Sequence, residues 1–356
     1  MTSAGPPSDR PEPPDVPPED PSATDGDGLP AAASRDTERP LSPVDTRPGL
    51  GTFTIEGRAA PGLFVGGWIA TLVGFAIIIP WFASGGTVPL PLLIVGLVLV
   101  SLGLVGGAGS QAIERRARAA TYAGPSPFLL FVAVIPISIL LDVAALVVLG
   151  AFGLKGDSPA IAVVSTLILL AIYLGLIRLA VVGTGALSWR EVGLRLPEQQ
   201  PASAIAMGVL IAVPLVYVTA LLLQLLLTFL PAPPSPLPEA TDRMGLLLNL
   251  VAAALIAPVG EELFFRGFAT TAWLRSMGPR AAILRGGLFF AFAHVLTLSG
   301  SSFEQATGQA VVAFAVRLPV AFALGWLFVR TRSIYPTIAL HATFNGLPLL
   351  LLLLHG

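Results

Sequence analysis

From Leu63 onward, the sequence is a succession of apolar stretches that are each about as long as a membrane-crossing helix. A helix needs roughly 20 apolar residues to cross the hydrocarbon core of a bilayer. The composition agrees, because 54% of the residues are hydrophobic and 12% are charged, whereas an average soluble domain is about 25% charged. A soluble globular fold is therefore excluded. We count nine apolar stretches, at 63–83, 88–109, 128–152, 160–187, 203–230, 246–274, 281–299, 309–329 and 334–354.

These stretches predict an all-α polytopic membrane protein, a bundle of about nine transmembrane helices, with eight as the alternative count. We divide it into N-terminal transmembrane helices over residues 59–187 and a second group over residues 188–356. The segment before them differs in composition. Residues 1–48 contain 12 prolines, 10 of the 21 acidic residues and no aromatic residue, so they cannot bury enough apolar surface to offset the entropy of ordering the chain. Residues 1–58 are therefore predicted to be a disordered, acidic, proline-rich tail.

The positive residues between the stretches predict the orientation of the bundle. Lys and Arg are retained on the cytoplasmic side of a membrane, and here they concentrate in alternate loops. One set of loops carries Arg115, Arg116, Arg118, Arg190, Arg195, Arg275, Arg280, Arg285, Arg330 and Arg332, and the other set carries Lys155 and Arg243. This alternation predicts an integral membrane protein with a cytoplasmic N-terminus. Arginine outnumbers lysine 19 to 1, a usage typical of high-GC bacterial genomes, so we expect a bacterial-type plasma membrane.

Charge and cysteine content exclude several classes of function. Outside residues 1–48 the chain has 16 basic and 11 acidic residues. This small excess is spread over short loops and forms no basic stripe, so we expect no nucleic-acid partner. The partner that the composition implies is the lipid bilayer. The chain has no cysteine, which excludes a disulfide framework, a thiolate nucleophile and a cysteine-ligated metal. Any bound metal ion must have His and carboxylate ligands.

Ionisable residues inside the predicted spans concentrate in the last four stretches. Each such residue costs roughly 2.5–3.5 kcal/mol at the centre of the bilayer, so its presence requires a reason. The candidate functional residues are Glu261, Glu262 and Arg266 in the sixth stretch, His294 in the seventh, and His341 and Asn345 in the ninth. We attribute three others, Asp142, Arg178 and Arg317, to pairing between helices or to snorkelling towards an interface.

Helical spacing indicates different roles for the two adjacent carboxylates, Glu261 and Glu262. Glu262 and Arg266 stand four residues apart, so they share a helix face and can form an ion pair that lowers the insertion cost of both charges. Glu261 projects about 100° away from Glu262 and is free to face a cavity. A poorly solvated carboxylate is suited to work as a general base near neutral pH. Glu261 is therefore the candidate base.

The histidines provide complementary groups. His341 and Asn345 also stand four residues apart, so one face of the ninth stretch presents an imidazole and an amide that can together hold an oxyanion. His294 lies one helical turn after Phe290, in an aromatic run that supplies a water-poor wall. The third histidine, His355, is the penultimate residue, and we assign it no role.

Three short motifs occur in order within the apolar stretches: E-E-x-x-x-R at 261–266, F-x-x-x-H at 290–294 and H-x-x-x-N at 341–345. One such motif alone is a weak signal, but three in order inside apolar helices are specific. Together they resemble the motifs of the CPBP intramembrane proteases, also called the ABI or CAAX protease family, which includes the CAAX prenyl endopeptidases. The resemblance covers roughly residues 188–356 and implies that they form a CPBP-like catalytic transmembrane core.

The resemblance implies an intramembrane endopeptidase that hydrolyses peptide bonds of membrane-embedded or lipid-modified peptides. The catalytic set that it implies is Glu261, Glu262, Arg266, His294, His341 and Asn345. Within this set, Glu261 and His294 would position and activate a water. His341 and Asn345 would stabilise the tetrahedral oxyanion, and the other two residues would support these groups.

Two alternatives for a cofactor stay open. Glu261, His294 and His341 could form a three-ligand Zn²⁺ site with one open position, as catalytic zinc sites have. The other alternative is a metal-free site of the glutamate protease type. We favour the metal-free site because the chain has no H-E-x-x-H pair.

Two functions of other classes remain as alternatives to a protease. A non-catalytic membrane scaffold, or a bacteriocin-immunity-type protein of the same fold, would bind a partner without activating water. A transporter of protons or small solutes would use the intramembrane Glu and His residues as a relay. Replacing Glu261 separates a protease from a scaffold, because only the protease depends on that carboxylate.

Overall fold

The computed structural model describes residues 57–83, 89–198, 200–296, 298 and 300–355. The chain divides into two units, Met1–Thr52 and Phe53–Gly356, and the first unit lies outside the described residues. The disordered tail predicted over residues 1–58 therefore also lies outside them, except for Gly57 and Arg58. All of the helices belong to the second unit.

The described residues form nine helices and no strand, which confirms the predicted all-α membrane fold. Five of the nine begin at a proline, because proline fixes a helical φ and lacks an N–H that would have no partner in the first turn. The helices are α1 (Pro61–Ala83), α2 (Leu90–Ala117), α3 (Pro127–Ala151), α4 (Pro159–Val182), α5 (Pro201–Leu226), α6 (Arg243–Met277), α7 (Pro279–Ala293), α8 (Phe303–Thr331) and α9 (Tyr335–His355).

Eight of these helices are long and apolar enough to span a membrane, and α7 is the exception. With 15 residues, α7 extends roughly 22 Å, which is less than the ~30 Å hydrocarbon core. The apolar stretch predicted at 281–299 is thus helical only as far as Ala293. A Ser- and Gly-rich segment follows, in which such residues favour turns and caps. There Ser302 caps α8 by accepting a hydrogen bond from Gln305 N at 3.1 Å.

Helix α6 is irregular where it carries the two adjacent carboxylates. Its α-helical hydrogen bonding gives way to π-helical turns over Val251–Ile256 and Glu262–Thr270. Within the second turn, Thr270 Oγ1 donates to Phe265 O at 2.8 Å. All of the residues Glu262–Thr270 are buried. Short π segments inside helices occur frequently at functional sites, and this one begins directly after Glu261.

Aromatic residues pack around the buried part of α6. The ring centroid of Phe264 lies 4.7 Å from that of Tyr173 in α4, and the ring centroid of Phe265 lies 5.3 Å from that of Phe289 in α7. The ring of Phe131 in α3 lies 6.1 and 5.9 Å from the same two phenylalanine rings. Aromatic pairs of this kind each contribute about 0.5–1.5 kcal/mol beyond the area they bury. Helix α6 is therefore fixed against α3, α4 and α7.

Helices α1 and α2 approach closely because glycines face each other at their contact. A Cβ atom at Gly67 would lie 2.9 Å from Gly103 O and 3.0 Å from Gly107 N, which are both backbone atoms. A Cβ atom at Gly103 would lie 2.6 Å from Gly67 O. Small residues at such positions let membrane helices pack backbone against backbone.

The variant Gly67→Ala is expected to destabilise the protein by about 1–3 kcal/mol, the usual cost of overpacking. The added methyl group meets backbone atoms of α2, which cannot rotate away. The measurement is the free energy of unfolding in mixed micelles. Gly66→Ala is the matched control, because a Cβ atom at Gly66 has no atom within 4 Å. Equal stability of the two variants would contradict this close packing.

The arginine-bearing loops meet at one end of the bundle, which we call the basic end. Three hydrogen bonds join them: Arg116 Nη2 to Thr184 O, Arg275 Nη1 to Ala186 O at 3.0 Å, and Arg195 Nε to Arg332 O at 3.2 Å. The loops predicted to share one membrane face are thus in contact with one another. The location of the basic end in the cytoplasm stays a prediction.

Candidate active site

Helices α6 and α9 and the residue that follows α7 bring five ionisable side chains into one network. Glu261 Oε2 lies 3.7 Å from His294 Nε2 and 3.8 Å from His341 Nε2. Glu262 Oε1 lies 2.9 Å from His341 Nδ1 and 3.0 Å from Arg266 Nη1. Side chains predicted from three separate stretches therefore converge at one place.

Glu262 and Arg266 form the buried ion pair that their spacing predicts. Their side chains are 0% and 2% exposed. Arg266 Nη2 also donates to Ala321 O of α8 at 3.4 Å, and its guanidinium carbon lies 4.2 Å from the ring centroid of Phe290. Because Glu262 also binds His341, the ion pair anchors that imidazole to α6.

Glu261 is the carboxylate that stays outside the ion pair, as its position one residue earlier predicts. Its side chain is 15% exposed. Among the described residues, its Oε2 atom is buried and accepts no hydrogen bond. A buried polar atom without a hydrogen bond requires an explanation, and a catalytic role is one of the few available. Glu262 Oε2 also lacks a hydrogen bond among the described residues, but Glu262 is held by Arg266 and His341, so Glu261 is the carboxylate left to bind another group.

His294 directs one ring nitrogen at Glu261. Its Nδ1 atom lies 2.7 Å from Phe290 O, and because a carbonyl oxygen only accepts, Nδ1 carries the proton of this hydrogen bond. With a proton on Nδ1 alone, the ring presents the lone pair of Nε2 towards Glu261 Oε2. Two acceptors cannot hydrogen-bond to each other, but a water between them can donate one O–H to each across the 3.7 Å separation.

His341 is oriented by Glu262. Its Nδ1 atom donates to Glu262 Oε1 at 2.9 Å, which directs Nε2 towards Glu261. When the ring carries a proton on both nitrogens, Nε2 is a donor, and otherwise it is an acceptor. Since the side chain is 5% exposed, its partners on α6 fix the ring.

Asn345 was predicted to offer its side-chain amide to an oxyanion, and one of its N–H groups is bonded to the backbone instead. Its Nδ2 atom donates to Ala253 O at 2.9 Å, and that carbonyl lies in the first π-helical turn of α6, Val251–Ile256. One amide proton is thus engaged by the backbone. A side-chain amide has two N–H groups, and this hydrogen bond uses one of them.

Phe290 is the part of the predicted aromatic wall that reaches the site. Its ring centroid lies 4.5 Å from the ring of His294 and 5.7 Å from the ring of His341, and it stacks with Arg266. Phe292, from the same run, is 50% exposed and faces away from the core. A single buried ring therefore packs against the arginine and both imidazoles.

Arg317 of α8 was attributed from the sequence to pairing or snorkelling. Its Nη1 atom donates to Ala313 O at 2.8 Å, and its charge interacts with Glu261. An arginine inside an apolar stretch is the signal that pointed to it. The spacing along α8 gave no indication of a partner on α6. Asp142 of α3, by contrast, interacts with Ser165 of α4, as expected for pairing between helices.

The arrangement of the candidate zinc ligands bears on the cofactor. Glu261 presents Oε2, and each histidine presents Nε2. The oxygen lies 3.7 Å from the nitrogen of His294 and 3.8 Å from the nitrogen of His341. Across the described part of the chain, no group of three His, Asp or Glu side chains is arranged to hold a metal ion.

Comparison with known families matches residues 243–347 to the family model described as type II CAAX prenyl endopeptidase Rce1-like. Comparisons of the chain with curated proteins and with solved structures gave no match. The matched segment begins at the first residue of α6, contains all six predicted site residues and lies within the region 188–356 to which the motifs pointed. The chain is thus an integral membrane protein that carries, over residues 243–347, a match to the Rce1-like family of type II CAAX prenyl endopeptidases.

Proposed function

We propose that this protein is an intramembrane endopeptidase that hydrolyses peptide bonds of membrane-embedded or lipid-modified peptides. The observation that carries the proposal is the approach of Glu261 Oε2 to His294 Nε2, at 3.7 Å, and to His341 Nε2, at 3.8 Å. These distances allow one water to bond to Glu261 and to an imidazole at once, since hydrogen bonds to a water oxygen span about 2.7–3.2 Å. The Rce1-like domain supports the same reaction class.

Glu261 acts as the general base in the first step. A water bound against Oε2 gives one proton to the carboxylate while its oxygen attacks the carbonyl carbon of the scissile peptide bond. A C–O bond forms, and negative charge collects on the former carbonyl oxygen. His294 Nε2 accepts the second O–H of the water and thereby aims its lone pair at the carbonyl carbon.

The second step breaks the C–N bond. The proton held by Glu261 passes to the leaving amine nitrogen, which restores the carboxylate. Throughout, the oxyanion needs fixed donors where its charge develops. Nε2 of a doubly protonated His341 and the second N–H of Asn345 serve this purpose. Glu262 and Arg266 hold His341 and do not touch the substrate.

The chemistry restricts the form of the substrate. A peptide bond inside an intact helix is hydrogen-bonded and shielded, so the substrate enters extended or locally unwound. The positive loops favour a cytoplasmic N-terminus in a bacterial-type plasma membrane, and entry from the cytoplasmic half of the bilayer follows. In such a membrane we favour membrane peptides over prenylated CAAX peptides as substrates.

The purified protein is expected to cleave membrane peptides equally well with and without a chelator, and His294→Ala is expected to lower kcat/KM by about 10²-fold or more. The alanine removes the nitrogen that orients the water. Products are identified by mass spectrometry, which gives the bond that is cleaved.

His355→Ala is the matched control. Its imidazole also bonds a carbonyl oxygen four residues earlier, Leu351 O at 2.8 Å, but it is exposed and belongs to none of the three motifs. This variant is expected to keep full activity. Loss of cleavage on chelation would overturn the metal-free site, and full activity of His294→Ala would overturn the role of that histidine.

A further inference from the structure

A pocket opens at the basic end of the bundle, and none of the site residues lines it. Its volume is about 320 Å³. Four of the lining residues are arginines: Arg190, Arg195, Arg275 and Arg332. The first two lie between α4 and α5, the third lies in the last turn of α6, and the fourth directly follows α8. Three separate parts of the chain therefore contribute positive charge to one pocket.

Two carboxylates balance only half of this charge. The ion pairs are Arg275–Glu191, Arg195–Glu198 at 2.7 Å and Arg190–Glu198 at 3.5 Å. Among the described residues, Arg332 has no carboxylate within ion-pairing distance. Four positive and two negative side chains leave an excess of two positive charges at the pocket.

The charge of Glu191 is stable near neutral pH. Burial raises the pKa of this carboxyl, but hydrogen bonds from Ser188 N and Oγ and the charge of Arg275 outweigh burial and hold the pKa below its ordinary value. Glu191 therefore stays ionised in the cell, and the excess of positive charge at the pocket is not a consequence of one protonation state.

Exposed apolar side chains adjoin the charged pocket. Leu194 and Leu196, on either side of Arg195, are 38% and 59% exposed, and Leu274 lines the wall. A guanidinium can bind two phosphate oxygens at once, and basic pockets between transmembrane helices bind phospholipid head groups. We propose that this pocket binds the phosphate group of an anionic phospholipid, with the arginines on the phosphate and the leucines against the acyl chains.

The test measures binding to the full chain in neutral detergent micelles at about 0.15 M salt, where charges more than about 8 Å apart are largely screened. The probes are short-chain phosphatidylglycerol, short-chain phosphatidylcholine and inorganic phosphate, and the readouts are native mass spectrometry and Tm. We expect saturable binding of phosphatidylglycerol alone. The double variant R190Q/R332Q is expected to weaken it about 25-fold, from roughly fivefold for each arginine.

The control R118Q/R280Q removes the same charge from exposed positions at the basic end that do not line the pocket, and we expect less than about a twofold change because of screening. If the double variant unfolds, R190Q alone keeps the test open, since that side chain is 74% exposed. Three results would overturn the proposal: equal binding of inorganic phosphate, equal binding of phosphatidylcholine, or equal losses in control and pocket variants.

Discussion

Glu261→Gln is expected to lower kcat/KM for cleavage of a membrane peptide by about 10²–10⁴-fold, the usual contribution of a positioned general base. The amide keeps the size of the side chain but cannot take a proton from water. In the described residues Glu261 Oε2 accepts no hydrogen bond, so the exchange leaves the buried Glu262–Arg266 pair intact. Steady-state kinetics in proteoliposomes measure the loss, and Tm verifies the fold.

Glu304→Gln is the matched control for this prediction. Glu304 is an exposed carboxylate in the first turn of α8, and its loss is expected to leave kcat/KM unchanged. The same pair of variants separates the classes of function. A cellular activity that survives Glu261→Gln would support a non-catalytic scaffold, and solute flux without any peptide cleavage would support a transporter. Either outcome contradicts the protease.

Features confined to one helix could be predicted from the sequence. The Glu262–Arg266 ion pair followed from a spacing of four residues, and it is present at 3.0 Å. The separation of Glu261 from that pair followed from the angle between adjacent side chains. The position of His294 one turn after Phe290 likewise predicted that the two lie together, and their rings are 4.5 Å apart. Helical periodicity contains this information because it fixes which side chains share a face.

Contacts between helices could not be predicted from periodicity, because spacing along one helix does not determine which helix lies beside it. The hydrogen bond between Glu262 and His341 joins residues 79 positions apart. The Asn345 amide donates a hydrogen bond to Ala253 O, which lies in a π-helical turn. The pattern of apolar residues does not predict such a turn. The electrostatic interaction between Arg317 and Glu261 likewise depends on how α8 packs, which spacing along α8 does not determine.

The length of α7 shows a different limit. Hydropathy extends the seventh stretch to residue 299, because Leu296 and Leu298 are as apolar as the residues before them. The helix nevertheless ends at Ala293, where the backbone passes into a segment rich in Ser and Gly. Its end brings His294 level with the carboxylates of α6, so the interruption that hydropathy missed is the one that positions a predicted catalytic residue.

Glu262→Ala is expected to destabilise the protein by about 3–5 kcal/mol, the usual cost of leaving a buried charge without its partner. Arg266 is 1% exposed and would lose its only ion pair in the described residues, and His341 Nδ1 would lose its acceptor. The expected loss of peptide cleavage would then follow from the misplaced imidazole. Denaturant titration in mixed micelles measures the free energy of unfolding.

The comparison with Glu198→Ala separates burial from charge. Glu198 pairs with Arg195 at 2.7 Å, but its side chain is 68% exposed, and an exposed ion pair contributes about 0–1 kcal/mol. The double variant Glu262→Leu with Arg266→Met removes both buried charges together, and we expect it to be more stable than Glu262→Ala because no unpaired charge remains. If Glu262→Ala cost no more than Glu198→Ala, the Glu262–Arg266 pair could not be the element that anchors His341, and the division between supporting and reacting carboxylates would be wrong.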